Sequence, residues 1–282
     1  MTWIELAFDD LANQHEALLF DAYGVLVDAE GAIGRAGDSL ARLSRLERSW
    51  LVVTNDASRS PERASRRFRS LGLDVGPERV LSAGMMLAPY FKSRGLAGAR
   101  CVVLGTGDSR WYVEQAGGVP VEPDADAPAD ALVLCDEQGF DFLPTMDEVL
   151  SMVLRAVESG RSMELLVPNP DLIYPSAVGR FGFTAGSVAR MLEEALALRL
   201  GGDAPRFTPL GKPSAGIFSH ACERVGTRDC VMLGDQLHTD VAGARAANLS
   251  AAIVLTGVTS REGLHRARAA GGHVPDYVIP SL

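Results

Sequence analysis

The chain has 282 residues, enough for one large α/β domain or, more naturally, for two domains. Its 47% apolar and 22% charged residues are the mix of an ordered globular protein and argue against a disordered one. With 27 basic against 36 acidic residues the net charge is −9, which disfavours nonspecific attraction to nucleic acid or to an anionic membrane.

In chain order, residues 17–20 form a short apolar run that stops at Asp21, the pattern of a buried strand. Leu40, Leu43 and Leu46 then recur at helical spacing with charges between them, predicting a helix over 36–48. Residues 50–53 read as the next strand, ending at Thr54. Pro61 opens a helix that runs to Leu71, where Gly72 stops it. Further strands are expected at 101–104, 131–134, 165–167, 230–233 and 251–255. Helices are expected between them, at 110–115, 145–158, 187–200, 214–225 and 238–247. Residues 117–128, rich in Gly, Pro, Ala and Asp, read as a surface excursion. Alternating strand and helix predicts an α/β fold with a doubly wound parallel sheet and right-handed crossovers.

The four cysteines, Cys101, Cys135, Cys222 and Cys230, are scattered and form no CxxC pair, so they read as buried apolar thiols. The amino terminus carries Glu5, Asp9 and Asp10 where a secretory signal has a basic start and an apolar run. No apolar stretch approaches membrane-spanning length. A cytoplasmic protein with neither nucleic acid nor membrane as partner is expected.

In open parallel sheets ligands bind beyond the carboxyl ends of the strands, so polar residues that follow apolar runs are informative. Four clusters fit. Asp21 ends the first strand and precedes Tyr23 and Gly24. Thr54, Asn55, Asp56 and Ser58 follow the second, where hydroxyls, an amide and backbone N–H groups could hold an oxyanion or simply cap a helix. Lys212 is pinned between Gly211 and Pro213. Asp235 follows the strand at 230–233, with Asp240 on the next helical turn. Asp21, Asp235 and Asp240 together offer oxygen ligands to a hard cation such as Mg²⁺.

In this order the clusters resemble the four motifs of the haloacid dehalogenase (HAD) superfamily: DAYGVL, TND, GKP and GDQLHTD. Asn169-Pro170-Asp171, the stretch 254–259 and Pro275-Asp276-Tyr277 resemble its subclass IIA, the 4-nitrophenylphosphatase-like and sugar-phosphatase-like members with a large α/β cap. The resemblance implies a HAD-like Rossmannoid core over 1–83 and 201–282 and an inserted cap over 84–200. It implies a Mg²⁺-dependent phosphomonoester hydrolase that forms an aspartyl-phosphate on Asp21, acting on a small-molecule phosphate ester. Asp21, the Tyr23 carbonyl, Asp235 and Asp240 are the implied metal ligands, and Lys212 the implied catalytic cation. Thr54 and Asn55, with Asp56 beside them, would bind the phosphoryl group, and Tyr174 and Arg180 are candidates for contacting the leaving group. A homodimer through the cap is the family-level expectation.

Two departures stand out. Tyr23 occupies the position where the family's phosphatases carry an acid/base Asp, and a phenol is a poor base near neutral pH, which implies slow turnover. Asp56 stands where relatives usually carry Asn. The Asp-Ala-Tyr-Gly string is also that of metal-independent 2-haloacid dehalogenases. Such a dehalogenase, or a non-catalytic phosphometabolite-binding homologue, is therefore the alternative reading. The retained pair Asp235 and Asp240 favours phosphate chemistry.

Overall fold

The computed structural model describes residues 3–28, 30–177 and 179–282, the side chains of Pro175 and Ala177 aside. Among these residues seven parallel strands form one sheet. Their spatial order is Ile4–Glu5, Tyr277–Ile279, Ser250–Val254, Cys230–Gly234, Ala17–Phe20, Ser49–Thr54 and Val80–Ser82. Helices cover both faces, so the central strands are apolar without alternation: all of Ala17–Phe20 and all of Cys230–Gly234 is buried. A second parallel sheet is inserted between Val80–Ser82 and Cys230–Gly234 in the chain. It runs in the order Thr208–Pro209, Glu164–Val167, Ala131–Leu134, Arg100–Leu104, Val119–Val121. An antiparallel hairpin, Ile173–Ala177 with Arg180–Phe183, projects from it. The architecture is the doubly wound core with an inserted α/β cap.

Two elements differ from the sequence expectation. The stretch 117–128 supplies Val119–Val121, an edge strand in which Pro120 is tolerated because an edge residue need not donate to a neighbour. The helix expected at 238–247 divides into a wide turn, Leu237–Val241, and a short helix, Ala242–Ala246. In the wide turn Val241 N donates to Gln236 O at 3.3 Å, five residues back, a geometry often found beside functional groups. All four cysteines are buried and free, although Cys222 Sγ and Cys230 Sγ lie only 3.8 Å apart. No helix among the described residues is long and apolar enough to cross a membrane.

The two sheets share one apolar layer. Leu19, Leu51, Val53 and Leu81 of the core belong to the same buried cluster as Phe91, Val103, Val133 and Leu166 on the cap side. Polar contacts reinforce the joint at the start of the cap helix Gly107–Gln115. Thr106 Oγ1 donates to Ser58 O at 2.6 Å, Ser109 Oγ to Ala57 O at 3.0 Å, and Tyr112 Oη to Arg59 O at 2.7 Å. The other cap face packs separately, with Leu132, Leu134, Val153, Leu192 and Leu196 at its centre.

Glu193 is the one buried charged side chain of the helix Ala185–Leu200, at 3% exposure. Its Oε1 accepts from Phe207 N at 2.8 Å, and its Oε2 pairs with Arg190 at 2.8 Å and Arg206 at 3.3 Å. It thereby ties the last cap helix to the segment that returns to the core. Both arginines reach solvent, so the cost of removing Glu193 lies mainly in orphaning the buried Phe207 N–H. Glu193→Ala is expected to cost about 1–3 kcal/mol, and Glu193→Gln, which keeps an acceptor, clearly less. Urea midpoints at unchanged slope check this; equal losses for the two variants would contradict it.

Candidate active site

The carboxyl ends of the core strands and of the cap strands face one another, and the four sequence clusters meet there. Asp21 directly follows Ala17–Phe20, and its N–H continues the ladder to Leu233 O at 2.8 Å. Thr54 ends its strand, and Asp235 follows Cys230–Gly234 without a gap. Lys212 arrives from the cap side. The return strand Thr208–Pro209 pairs in parallel with Glu164–Val167, and Leu210 N and Gly211 N donate to Val167 O and Pro168 O at 3.1 and 3.0 Å. Parallel pairing makes both strands end at the same level. Lys212 and the Asn169-Pro170-Asp171 turn are therefore neighbours.

Asp21, Asp235 and Asp240 are buried, and each offers an oxygen within 4.8 Å of the others. Lys212, 1% exposed, bridges two of them: Nζ lies 2.7 Å from Asp21 Oδ1 and 2.7 Å from Asp240 Oδ1. The second oxygen of Asp240 accepts from Asp235 N at 3.1 Å and Gln236 N at 3.0 Å, which fixes the wide turn on the strand end. Asp235 Oδ2 accepts from Val258 N at 2.7 Å, while its Oδ1 is buried with no partner among the described residues. An orphaned anionic oxygen is costly in a protein interior unless a cation meets it.

The electrostatics point the same way. Burial pushes the Asp21 carboxyl up to about 7, against the pull of Lys212 and with the push of Asp240. Burial, then the Asp21 and Asp240 charges, drive Asp235 well above the ordinary carboxylate range. For Lys212 burial would lower the ammonium, but Asp21, Asp240 and Asp171 outweigh it and hold the charge on. Ionising all three acids beside one lysine would leave two negative charges without an offset. A divalent cation with oxygen preference fits that deficit, so the donor set suits Mg²⁺. Gly24, at φ +81°, makes room: a Cβ there would lie 2.2 Å from Asp235 Oδ2.

Asn55 has a different role from the phosphate contact expected of its side chain. Its Oδ1 accepts from Lys212 N at 2.7 Å, and its Nδ2 donates to Lys212 O at 3.0 Å and Asp171 Oδ1 at 3.0 Å. Both amide hydrogens are engaged, which leaves the side chain nothing to donate to a phosphoryl oxygen. Asn55 instead clamps the backbone that carries the Lys212 ammonium. The clamp requires glycine at 211, where a Cβ would sit 2.4 Å from Asn55 Oδ1.

A cavity of about 170 Å³ opens over these groups. Asp21, Thr54 and Asn55 form its floor with Gln236, and Tyr174, Thr184, Asp171 and Asp136 line it from the cap side. Thr54 is buried, and among the described residues its Oγ1 bonds only to Asp56 N, accepting at 3.2 Å, which keeps its hydroxyl proton available. Asp56 lines the cavity, yet its charge is engaged in its own loop. Its Oδ1 accepts from Ser58 N and Oγ at 2.8 and 2.6 Å, and its Oδ2 pairs with Arg59 at 2.6 Å. The Tyr23 ring packs edge-on against Tyr174 at 6.2 Å, under the Arg67 guanidinium at 5.7 Å. Burial raises its phenol above the ordinary value, so Tyr23 stays protonated at neutral pH and cannot act as a base.

Arg180 is exposed on the hairpin strand opposite Tyr174's and does not line the cavity, so the structure does not bring it to the site. His238 is likewise exposed and outside it. Asp171, Asp136 and Arg59 are cavity residues to which the sequence reading gave no role in the site. A weaker signal was present: Asp136 lies two residues past the cap strand Ala131–Leu134 and Asp171 four past Glu164–Val167, whereas Asp21 and Asp235 follow their core strands directly.

Comparison with known proteins is consistent with this geometry. Residues 18–118 match the family described as haloacid dehalogenase-like hydrolase, and residues 209–282 match one described as HAD-hydrolase-like. A D-glycerol 3-phosphate phosphatase from Mycobacterium tuberculosis is 31% identical over 250 residues, covering 89% of this chain; the chain spans 65% of that protein's length. A structure from Cytophaga hutchinsonii described as a possible sugar phosphatase superposes with a TM-score of 0.85 at 28% identity, over 99% of this chain and 98% of that one. The glycerol phosphate phosphatase of M. tuberculosis in complex with magnesium gives a TM-score of 0.77 at 28% identity, over 95% and 75% of the two chains. Taken with the motif residues that converge on Lys212, these likenesses identify the chain as a hydrolase of the haloacid dehalogenase superfamily.

Proposed function

We propose that this chain is a Mg²⁺-dependent phosphomonoesterase that works through an aspartyl-phosphate on Asp21, with a small phosphorylated metabolite or an aryl phosphate as substrate. The observation that carries the reading is the unpartnered Asp235 Oδ1 beside Asp21 and Asp240, with a single lysine to balance three acids. Asp21, Asp235, the Tyr23 carbonyl and, directly or through water, Asp240 would hold the metal. When bound, the dication supplies the charge offset that lets an anionic carboxylate approach an anionic phosphoryl group.

The chain's own residues account for the rest. Asp21 Oδ1 is held by Lys212 Nζ and by Ala22 N–H, each at 2.7 Å, which fixes the carboxylate plane for attack on phosphorus. The Thr54 hydroxyl is free to donate to a phosphoryl oxygen, and the Lys212 ammonium stabilises charge on the transferring group. The cap closes the cavity over these groups and excludes water from the attack. A cavity of about 170 Å³ suits a compact leaving group. A carbon-centred reaction such as dehalogenation gives no use to Asp235 and Asp240 together, which weighs against the alternative.

With 4-nitrophenyl phosphate and Mg²⁺, purified protein should release nitrophenolate, and chelator should stop it. Asp21→Asn should lower kcat by about 10⁴-fold or more, as loss of a nucleophile does. Release of chloride from 2-chloropropionate that ignores chelator would overturn the reading.

Metal binding should also show in stability, independently of turnover. A saturating cation at a hundred times its Kd adds about 2.7 kcal/mol. In wild type Mg²⁺ should raise the melting temperature, and in Asp235→Asn the rise should shrink or vanish. An equal rise in both proteins would place the ion elsewhere.

A pH dependence follows from the same carboxyls. Folded Asp21 keeps its proton to about 7 and Asp136 and Asp171 to about 6, above the 3.8 of an unperturbed Asp, in each case chiefly through burial. The unfolded chain therefore loses these protons first, so stability in chelator should fall as pH rises between 3.8 and 7. Mg²⁺ should flatten that slope. Denaturant midpoints across the range measure it, and a slope of opposite sign would refute the assignment.

A further inference from the structure

Position 23 leaves a gap in the proposed reaction. An alkyl phosphate departs as an alkoxide unless something protonates it, and the aspartyl-phosphate needs a base to activate water. The Tyr23 phenol serves neither need well, because burial holds it protonated against the pull of Arg67. Among the cavity carboxylates, Asp21 is the nucleophile and Asp56 is engaged with Ser58 and Arg59. Asp136 and Glu137 lie on the cap wall, where Asp136 accepts from Gln138 N at 2.9 Å.

Asp171 is different. It is held from three sides: its N–H donates to Asn169 Oδ1 at 3.2 Å, its carbonyl accepts from the Thr184 hydroxyl, and its Oδ1 accepts from Asn55 Nδ2 at 3.0 Å. No group among the described residues donates to its Oδ2, and the residue lines the cavity that contains Asp21. The Asn55 Nδ2 that donates to its Oδ1 also donates to Lys212 O at 3.0 Å, so Asp171 stands next to the segment that carries the ammonium. Burial and the Asp240 charge raise the Asp171 carboxyl to about 6 against the pull of Lys212, within reach of both protonation states near neutral pH.

We propose that Asp171, reaching in from the cap, is the general acid and base of this hydrolase in place of the residue at position 23. The inference rests on the phosphatase reading above. In the first step a bond forms between an Asp21 carboxylate oxygen and phosphorus, and the bond from phosphorus to the ester oxygen breaks. The Asp171 proton passes to that oxygen, giving the free alcohol and an Asp171 carboxylate. In the second step Asp171 takes a proton from water as the water oxygen bonds to phosphorus. The bond from phosphorus to Asp21 breaks, inorganic phosphate leaves, and both aspartates return to their starting forms.

Wild type and Asp171→Asn, each saturated with Mg²⁺, are compared on glycerol 3-phosphate, whose leaving group needs a proton, and on 4-nitrophenyl phosphate, whose leaving group does not. Asp171→Asn should lower kcat/KM for glycerol 3-phosphate by about 10²- to 10⁴-fold, and for the aryl ester by less than about tenfold. The aryl ester should also give a burst of one nitrophenolate per enzyme, because the second step lacks its base and the phosphoenzyme accumulates. Asp171→Glu should recover part of the alkyl activity. Equal losses on both esters without a burst would overturn the inference and leave Asp171 a support for Asn55. The burst signature in Tyr23→Phe rather than Asp171→Asn would overturn it too. A wild type inactive on both esters would reject the phosphatase reading itself, and this inference with it.

Discussion

The ammonium of Lys212, almost wholly buried and shared between Asp21 and Asp240, is the interaction on which the site depends. A lysine at that depth would lose its charge without carboxylates beside it, and the carboxylates would take up protons without the lysine. Each justifies the burial of the other. The three residues come from the first buried strand, from the return out of the second sheet and from the wide turn after Cys230–Gly234. The charge cluster therefore forms only when core and cap are both folded and in register.

That mutual dependence still leaves an imbalance, and the imbalance gives the site its chemistry. One cation cannot neutralise three acids, and the orphaned oxygen of Asp235 marks where the deficit is concentrated. Packing offers no reason for such an arrangement, because apolar residues of similar volume would fill the same space at lower electrostatic cost. Reaction chemistry does offer one: an anionic nucleophile must be ionised at neutral pH and yet come close to an anionic phosphoryl group.

Much of this was legible in the sequence because the rule that exposes it is simple. A buried parallel strand is apolar along its length, so the first polar residue after it is conspicuous, and Asp21, Thr54 and Asp235 all stood out in that way. Very short elements were not legible. Val80–Ser82 and Tyr277–Ile279 take their strand character from a neighbouring strand rather than from their own three residues, and Val119–Val121 contains a proline. Side-chain roles were harder still. Asn55 looked like a phosphate ligand by position, and only the tertiary approach of Gly211 and Asp171 turns its amide toward the lysine backbone. Asp56 stood where relatives usually carry Asn, and its charge is absorbed by Arg59 three residues on. Arg180 was grouped with Tyr174 because the two are close in sequence, but the hairpin presents one to the cavity and the other to solvent.

The joint between the sheets links closure to catalysis. The cap is no loosely hinged flap, since one apolar layer runs from Leu19 and Val53 to Val103 and Leu166. The polar ties at the joint fall on the loop 55–60, which carries the Asn55 clamp. Asn55 reads the position of the cap through Asp171 and transmits it to Lys212 through two backbone hydrogen bonds. Any movement that withdraws Asp171 opens the cavity and at the same time loosens the segment holding the ammonium. Docking of the cap and full ordering of Lys212 are thus one structural event, and in the proposed reaction this confines the nucleophile's most favourable electrostatic environment to the closed, water-excluding form.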